Sequence, residues 1–361
     1  MPDQPRVILV VAEVAGGIAV HVTQLALGLK GLDVDVTVIA PTRSLAALTP
    51  LDGVTVIVAP VGSLRPWAWW SVRRQLRRLA GPGAVVHAHG LRAGASAAGA
   101  TRGARLVVTW HNAALGSRVR RSVHAALERR VARRADVTLA ASGDLAARAR
   151  RAGAGDVRSV LVGSLTVAPA RSRDEVRASL GVPAPAELVL AVARLHPQKR
   201  LDVLVDAAAS WNRSGDAPRE VIVAGDGPLH AELSEQIACT HAPVTLLGAR
   251  HDVADLLAAA DVAVLTSEWE ARSLAAQEAL RAGVPLVCTP VGGLPDLVGD
   301  AAVLVPVGDA SALRAALDRV LGDDDLRAEL IRRGRERAAE WPTSQQAAAD
   351  MRSLYLDVMS S

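Results

Sequence analysis

The sequence predicts an α/β protein built from two doubly wound parallel sheets. In the first half, short apolar runs rich in β-branched residues alternate with helical patterns, which is typical of parallel sheets with crossover helices. A proline-containing segment at 168–187 interrupts this alternation, which then starts again. The 361 residues, of which 50% are hydrophobic, are enough for two domains that each bury a core.

The composition limits how these cores are packed and which classes of protein remain. The chain has no Phe, one Tyr and seven Trp, so Val, Leu, Ile and Ala must provide most of the core packing. Cys239 and Cys288 lie far apart without metal-ligand spacing, which excludes a disulfide framework and fits reduced cytosolic thiols. The net charge is +4, but aromatic residues make up only 2% and no nucleic-acid motif is present, so we predict no nucleic-acid partner.

No segment of the sequence predicts export or insertion into a membrane. Residues 1–6 lack the apolar core of a signal peptide, and charged residues interrupt every apolar run before it reaches spanning length. We therefore expect a cytoplasmic protein, either soluble or peripheral at the inner face of the cell membrane.

The N-terminal half begins with a strand, a glycine loop and a helix. Strands are predicted at 6–11, 34–39, 54–58, 85–87, 106–109 and 137–141. The loop at 12–18 contains Gly16 and Gly17, but not as G-x-G-x-x-G, and no acid follows the second strand, so NAD binding is disfavoured. A tight turn is the alternative explanation of the two glycines. His89 and His111 follow the carboxyl ends of two strands, where ligands bind, although single histidines are more often structural.

The second half carries a cationic turn and two glutamates. A strand at 188–193 leads into Arg194-Leu195-His196-Pro197-Gln198-Lys199 and a helix from about 200 to 211, which puts two cations beside a helix start and suits a diphosphate. Another strand, at 262–265, ends just before Glu270. The following helix, capped by Ser273, carries Glu278 about two turns in, on the face of Leu274 that we expect to be inward. Ligand hydroxyls would partner such a carboxylate, and two solvated surface glutamates are the alternative.

These motifs together resemble the family 4 glycosyltransferases. Glu270-x7-Glu278, followed by Gly-Val-Pro-Leu-Val and by residues 292–298, is similar to the donor site of that family, and Gly16-Gly17-x3-His21-Val22 is similar to its N-terminal loop. The resemblance implies the GT-B architecture. Two facing Rossmann-like domains would then span 1–168 and 169–342, with a C-terminal helix at 343–361 that crosses back onto the N-terminal domain.

The resemblance also assigns roles to matching residues. Arg194 and Lys199 would stabilise the departing diphosphate, and Glu270 and His111 would lie near the sugar. Glu278 would bind the ribose hydroxyls, while His21 and His89 would lie on the acceptor side. The residues assigned to donor binding are Gly16, Gly17, Gly225, Gly227, Arg250, Arg272, Ser273, Leu274 and Glu278.

The implied reaction is transfer of a hexose-type sugar, with retention of configuration, from a nucleotide-diphosphate sugar to an acceptor hydroxyl. A glycolipid or a cell-envelope glycan precursor would supply that hydroxyl. The family needs no metal and no cofactor, so we predict no metal ligands. A nucleotide-sugar epimerase and a non-catalytic nucleotide-sugar-binding subunit are the alternatives.

Four features depart from the family pattern or lie outside it. Arg200 stands where the family often has Gly, and Val162-Gly163-Ser164 stands where it commonly has Pro-Asn-Gly. The acidic strings at 33–35 and 323–325 lie away from the expected site and are interpreted as surface. A helix at 67–79 has an arginine stripe opposite Val72, Leu76 and Leu79, and a second basic helix runs from 118 to 134. Both are interpreted as solvated surface or as a contact with anionic lipid.

Overall fold

The computed structural model describes residues 5–14, 16–48, 50–63, 65–101, 103–111, 118–160, 168–211 and 218–360, without the side chains of 118–121 and 123. The chain divides into two compact units, one formed by Met1–Ser164 with Pro342–Ser361 and the other by Leu165–Trp341. None of the helices in the described ranges has the length and apolar character needed to cross a membrane.

The N-terminal unit is built on a seven-stranded parallel sheet. Its strands are β1 (Arg6–Val11), β2 (Asp35–Ala40), β3 (Thr55–Val58), β4 (Ala84–His89), β5 (Arg105–Trp110), β6 (Val137–Ala140) and β7 (Val157–Ser159). Its first helices are α1 (Gly17–Lys30), α2 (Thr42–Leu45), α3 (Pro66–Leu79), α4 (Leu91–Ala97), α5 (Arg118–Ala132) and α6 (Gly143–Arg151). The strand order is β3-β2-β1-β4-β5-β6-β7, so the direction of winding reverses between β1 and β4. Ligands of doubly wound sheets bind at the carboxyl ends of strands beside such a reversal.

The C-terminal unit repeats this plan with six parallel strands. They are β8 (Glu187–Val192), β9 (Arg219–Ala224), β10 (Val244–Leu246), β11 (Val262–Leu265), β12 (Leu286–Cys288) and β13 (Ala302–Leu304), in the order β10-β9-β8-β11-β12-β13. The helices are α7 (Arg173–Ser179), α8 (Leu201–Ala209), α9 (His230–Thr240), α10 (Val253–Ala259), α11 (Leu274–Ala282), α12 (Leu294–Val298), α13 (Ala310–Gly322) and α14 (Asp324–Ala339). Winding reverses between β8 and β11, whose carboxyl ends carry the cationic turn and Glu270.

The last helix, α15 (Ser344–Ser360), belongs to the N-terminal unit, as the family resemblance implies. It packs along α1, where Ser344 donates a hydrogen bond to Gln24 across 3.2 Å. Met351, Tyr355 and Val358 enter the same apolar core as strand β1. Tyr355 is fully buried, so the only Tyr of the chain anchors this helix.

Aliphatic residues fill both faces of the sheets, as the composition predicts. In β8, Val189 and Ala191 join one core cluster, while Leu188 and Leu190 join the cluster on the opposite face. A strand that is buried on both faces has a continuous apolar sequence instead of an alternating one. Such continuous apolar runs are what predicts a parallel sheet.

The structure corrects several local predictions. Helix α1 begins at Gly17, inside the predicted loop, and α8 ends at Ala209. Helix α11 begins at Leu274 after the N-cap Ser273, as predicted, and this start puts Glu278 about one turn into the helix instead of two. The fully buried face of α11 holds Ala276, Gln277, Ala279 and Leu280, against α14 and β12, so Leu274 lies on its flank. The family's Pro-Asn-Gly position, 162–164, lies outside the described residues.

On α3, Arg73 is not part of an exposed arginine stripe. Its guanidinium donates to the Gly99 carbonyl across 3.4 Å and is half-buried. Val72 and Leu76 are buried as predicted. The exposed basic residues of this helix are Arg74, Arg77 and Arg78. The acidic pair Asp33 and Asp35 is exposed, in agreement with its interpretation as surface.

Candidate active site

The switch point of the C-terminal sheet brings together two residues predicted to act on the donor. Lys199 ends the turn after β8 and Glu270 lies in the loop after β11, and the Lys199 ammonium forms an ion pair with Glu270 Oε1. Glu270 Oε1 also accepts a hydrogen bond from the Ser267 hydroxyl across 2.7 Å. Both side chains of the ion pair are largely buried. The carboxylate therefore retains a partner when the ammonium turns toward an anion.

Backbone and amide hydrogen bonds fix these two loops to each other. The Gln198 side-chain amide donates to the Trp269 carbonyl across 2.6 Å, and the backbone N–H of Glu268 donates to the Gln198 carbonyl across 2.9 Å. The Thr266 hydroxyl donates to the Lys199 carbonyl across 2.7 Å. Because main-chain atoms take part in each bond, the Lys199–Glu270 pair sits on a preorganised frame.

Close backbone approaches at this edge require glycine. A Cβ on Gly225, which follows β9 with φ of 154°, would lie 1.8 Å from the Ala193 carbonyl oxygen. A Cβ on Gly292, after β12, would lie 1.9 Å from the Glu270 carbonyl oxygen, which accepts the Gly293 N–H across 2.8 Å. Gly227 is similarly close to Leu195. The predicted glycines Gly225 and Gly227 are thus explained by packing between loops.

The start of α11 presents backbone donors beside Glu270. Ser273 is the N-cap, and its hydroxyl accepts the Ala276 N–H across 3.3 Å. The Arg272 guanidinium lies over the Trp341 ring, 5.6 Å from its centre, and its pKa is lowered to about 10 by burial and by Arg337 and Arg281. With its side chain turned to Trp341, Arg272 offers its backbone N–H at the helix start, where the dipole favours an anion.

Glu278 is a half-buried carboxyl without an ionic partner among the residues that the structure describes. Burial raises its pKa to about 7. A desolvated carboxylate is stabilised by hydrogen-bond donors that reach both of its oxygens, and the two hydroxyls of a vicinal diol are two such donors. This is the environment expected of a residue that holds ribose hydroxyls.

The other two predicted cations differ in how they are held. Arg194 is exposed, and its side chain forms no hydrogen bond or ion pair with any residue in the described ranges. Arg250 is bound by Asp252 through two bonds, of 2.8 and 2.5 Å, and this hydrogen bonding raises its pKa. Arg194 is therefore available to an anionic ligand, whereas Arg250 would have to leave Asp252.

Arg200 shows why a glycine would suit its position. Its φ and ψ of 47° and 43° are left-handed, a conformation that costs a residue with a side chain about 1–2 kcal/mol. Asp202 binds the Arg200 guanidinium at 2.9 Å and Glu268 lies at 3.6 Å. These contacts offset part of the strain and hold the turn that carries Lys199.

In the N-terminal unit, the glycines and histidines predicted to face the donor and the acceptor lie around the switch point of the seven-stranded sheet. Gly16 has φ of 58° and caps α1, and Gly17 is the first residue of that helix. His21 is buried on α1, His89 ends β4 and His111 directly follows β5. The His89 and His111 rings stack with centroids 5.5 Å apart, and His21 lies edge-on to both at 5.6 and 5.5 Å.

A fourth histidine, His87, supports this group from behind. Its ring nitrogens contact the Tyr355 hydroxyl and the Thr109 hydroxyl, each at 2.6 Å, and its ring lies 4.2 Å from that of His89. Burial lowers the pKa of His21 to about 4. Burial, and then His21, lowers that of His87 to about 3. The pKa values of His89 and His111 also fall well below the usual range, first through burial and then through neighbouring histidines. All four imidazoles are therefore neutral at pH 7.

Sequence reasoning treated these histidines one at a time and missed their convergence. His21 lies on a helix, His87 and His89 lie on strand β4, and His111 directly follows strand β5, so no single spacing in the sequence links all of them. A second missed signal was available. Of the 41 Lys and Arg residues, only Lys30 and Lys199 are lysines, and all the others are arginines. Lys199 is therefore a rare position at which this chain has lysine instead of arginine.

Two family models match most of the chain between them. "Glycosyl transferases group 1" matches residues 172–337, and "Glycosyl transferase 4-like domain" matches residues 16–165. The two matches correspond to the two sheets and to their sites. The chain belongs to the family 4-like glycosyltransferases of group 1, whose fold is GT-B.

Curated relatives match about half of the chain. N-acetyl-alpha-D-glucosaminyl L-malate synthase of Bacillus anthracis is 28% identical over 193 residues, 52% of this chain and 50% of the relative. D-inositol 3-phosphate glycosyltransferase of Saccharomonospora viridis is 33% identical over 206 residues, 53% of this chain and 47% of the relative. The chain thus spans about half the length of the curated relatives it matches.

Solved structures resemble the whole chain in fold. Sucrose-phosphate synthase of Thermosynechococcus elongatus superimposes with a TM-score of 0.82 at 22% identity, covering 98% of this chain and 99% of that one. HepE of Anabaena, solved in complex with UDP and glucose, gives 0.80 at 21% identity, covering 98% and 100%. At these identities the likeness establishes the fold alone.

Proposed function

We propose that this chain transfers a hexose-type sugar from a nucleotide-diphosphate sugar to an acceptor hydroxyl. The observation that carries the proposal is the Lys199–Glu270 ion pair at the β8/β11 switch point, which is followed along the chain by helix α11 with the half-buried Glu278. This combination supplies a cation for a diphosphate and an acceptor for a ribose. HepE, of the same fold, binds UDP and glucose, so a uridine diphosphate donor is the first to test.

Each residue then has a role that its contacts support. Lys199 turns from Glu270 to the leaving diphosphate, joined by Arg194, whose exposed side chain is available. Glu270 retains Ser267 and is free to accept from a sugar hydroxyl. Glu278 holds the ribose, and the N–H groups at the start of α11 face the phosphate charge. His111 is the residue that the family resemblance assigns near the sugar.

The reaction is proposed to proceed with retention and without a metal or cofactor. The chain supplies its own counter-charges for the diphosphate, Arg194 and Lys199, so departure of the leaving group needs no divalent cation at that place. Front-face displacement, in which the leaving phosphate takes the acceptor proton, retains the configuration and requires no separate base. A glycolipid or cell-envelope glycan precursor is the proposed acceptor.

Helix α3 supports a peripheral contact with anionic lipid. Trp67 and Trp70 are 59% and 65% exposed, and the Arg74 guanidinium lies 5.4 Å from the centre of the Trp70 ring. Arg77 and Arg78 are exposed on the same helix. Exposed Trp beside Arg is the composition of helices that lie in the membrane interface.

Replacing Lys199 tests the proposed chemistry. Loss of the ammonium removes an interaction that strengthens as charge develops on the diphosphate, so Lys199→Ala should lower kcat/KM by about 100-fold, which corresponds to roughly 3 kcal/mol. Donor affinity should change much less. Single-turnover release of UDP from a UDP-sugar measures the rate, and calorimetry measures the affinity.

Lys30→Ala is the matched control because Lys30 is the other lysine and is exposed. It should react like the unmodified protein. EDTA should leave the rate undiminished. Wild-type turnover by Lys199→Ala, or turnover that EDTA abolishes and magnesium restores, would overturn the assignment of Lys199 as the counter-charge. Release of an isomerised sugar without acceptor would favour an epimerase.

A further inference from the structure

The three buried histidines of the N-terminal unit have the arrangement of a metal site. One ring nitrogen from each of His21, His89 and His111 lies within 4.8 Å of the others. His89 Nδ1 and His111 Nε2 form a hydrogen bond of 3.2 Å, which an ion bound to both nitrogens would replace. Two nitrogens bound to one tetrahedral Zn²⁺ at 2.0–2.1 Å would be separated by about 3.3 Å, so this pair already has a chelating separation.

Two unsatisfied nitrogens distinguish this cluster from a fully hydrogen-bonded one. His21 Nε2 and His89 Nε2 are buried and have no hydrogen-bond partner in the described part of the chain. The three side chains are only 6%, 2% and 7% exposed. A buried polar atom without a partner costs about 1–3 kcal/mol, and an ion bound to His21 Nε2 would remove that cost there.

The chemistry of the donors selects the class of metal. Neutral imidazole nitrogen suits Zn²⁺, Cu²⁺, Ni²⁺ and Co²⁺, whereas Mg²⁺ and Ca²⁺ take oxygen ligands. Three imidazoles leave the fourth tetrahedral position to water.

The surroundings hold the ligands in place. His87 packs against the His89 ring and is fixed by hydrogen bonds to Tyr355 on α15 and Thr109 on β5. His89 itself ends β4, paired in the sheet with Val11 and Thr109. His21 on a packed helix and His89 at the end of a paired strand keep their positions better than ligands on loops, and His111 directly follows β5, which favours binding of an ion over collapse of the cluster.

We propose that His21, His89 and His111 form a binding site for Zn²⁺ or a chemically similar divalent transition metal, with water as the fourth ligand. This departs from the sequence-based expectation of no metal ligands. Arg194 and Lys199 are the proposed counter-charges of the diphosphate, so the proposed transfer itself still requires no metal. Where the chain acts as the proposed transferase, occupation by Zn²⁺ would engage His111 and inhibit transfer, and this consequence alone rests on the proposed function.

Metal binding is tested on the full chain with Zn²⁺ and Co²⁺ as probes. After equilibration with Zn²⁺ and removal of the excess, elemental analysis should find a single ion per chain. X-ray absorption at the zinc edge should show three imidazole nitrogens at about 2.0–2.1 Å. Co²⁺ should give the intense visible bands of a tetrahedral ion. These measurements need no variant, and wild-type protein that retains no ion, or holds it through fewer than two imidazoles, overturns the proposal.

Variants then locate the site. His21→Gln and His111→Gln should each weaken Zn²⁺ binding at least tenfold, with circular dichroism showing that the fold is retained. His251→Gln, at an exposed histidine of the other unit, is the matched control and should bind as wild type does. Unchanged binding by a folded His21→Gln contradicts the assignment. Zn²⁺ binding without any detectable transfer would instead count against the proposed function, so the two failures are distinguishable.

Discussion

At the scale of single residues, Glu278 makes the C-terminal unit sensitive to pH. Burial raises its pKa from 4.5 to about 7, so the folded protein holds a proton that the unfolded chain releases. When the folded state binds more protons, the free energy of unfolding falls as pH rises between these two values. Glu278 therefore destabilises the unit above pH 7 and costs little below pH 4.5.

Glu278→Gln should raise stability at high pH and not at low pH. The difference in free energy of unfolding between variant and wild type should grow between pH 5 and pH 8 by on the order of 1–2 kcal/mol, reduced from the full shift because the side chain keeps some contact with water. Urea titrations followed by Trp fluorescence measure it. Glu232→Gln, at an exposed glutamate of the same unit, should show no such trend, and a pH-independent difference for Glu278→Gln would disprove its burial as a carboxyl.

Residue types and strand ends predicted the site better than they predicted its contacts. Glu270, Glu278, Lys199 and Arg194 were identified from motifs, and their assigned roles remain predictions. The Lys199–Glu270 ion pair joins residues 71 positions apart through two loops, so only the order of the strands brings them together. The same holds for the three histidines, whose nitrogens converge from three elements.

At the scale of secondary structure, helix α15 is fixed by a close contact with α1. A Cβ on Gly28 would lie 2.6 Å from Ala348 Cβ, so the two helices approach through their smallest residues. Replacing Gly28 by Ala gains about 0.5–1 kcal/mol of helix propensity, but overpacking costs about 1–3 kcal/mol. The steric cost should exceed the gain.

Gly28→Ala should therefore lower the free energy of unfolding of the N-terminal unit by about 1 kcal/mol. Gly31→Ala is the matched control, because Gly31 is exposed at the end of the same helix with a right-handed φ of −64°. It should be neutral or slightly stabilising. Denaturant titration measures the free energy of unfolding of both variants. Equal stability of the two variants would show that α15 does not pack closely on α1.

Helix α3 makes a second prediction at this scale. Each Arg near an anionic membrane contributes about 1 kcal/mol, so the double variant Arg77→Ala, Arg78→Ala should bind anionic vesicles at least tenfold more weakly at low salt. The variant Arg150→Ala, Arg151→Ala makes the same charge change at exposed positions of α6 and is the control. Sedimentation with anionic and neutral vesicles measures binding. Equal recovery with both kinds of vesicle would remove the hypothesis.

Element types were predictable because apolar runs and helical periodicities are local properties. The boundaries of the elements, and the faces that their side chains bury, were less predictable. The flank position of Leu274 depends on where α14 and β12 cover helix α11, and such cover is a tertiary property. The half-buried Arg73 shows the same limit, since its contact with Gly99 comes from another loop.

At the scale of the whole molecule, the repeated alternation of strands and helices predicted two parallel sheets, and the structure confirms them. The order of the strands was not predictable from the pattern. In the structure β1 lies next to β4 and β8 lies next to β11, and local sequence does not distinguish this order from other possible orders. That order determines where the candidate sites lie. It creates both switch points and places the cationic turn beside Glu270.

Binding of a nucleotide diphosphate at the C-terminal switch point is the central claim. Calorimetric titration with UDP, GDP and ADP should show binding of at least one of them to the wild-type chain. Glu278→Ala should weaken that binding at least tenfold, about 1.4 kcal/mol, since the ribose loses its acceptor. Glu232→Ala, at an exposed glutamate, should leave it unchanged. If none of the three nucleotides binds, or if Glu278→Ala binds as tightly as wild type, this account of the site is wrong.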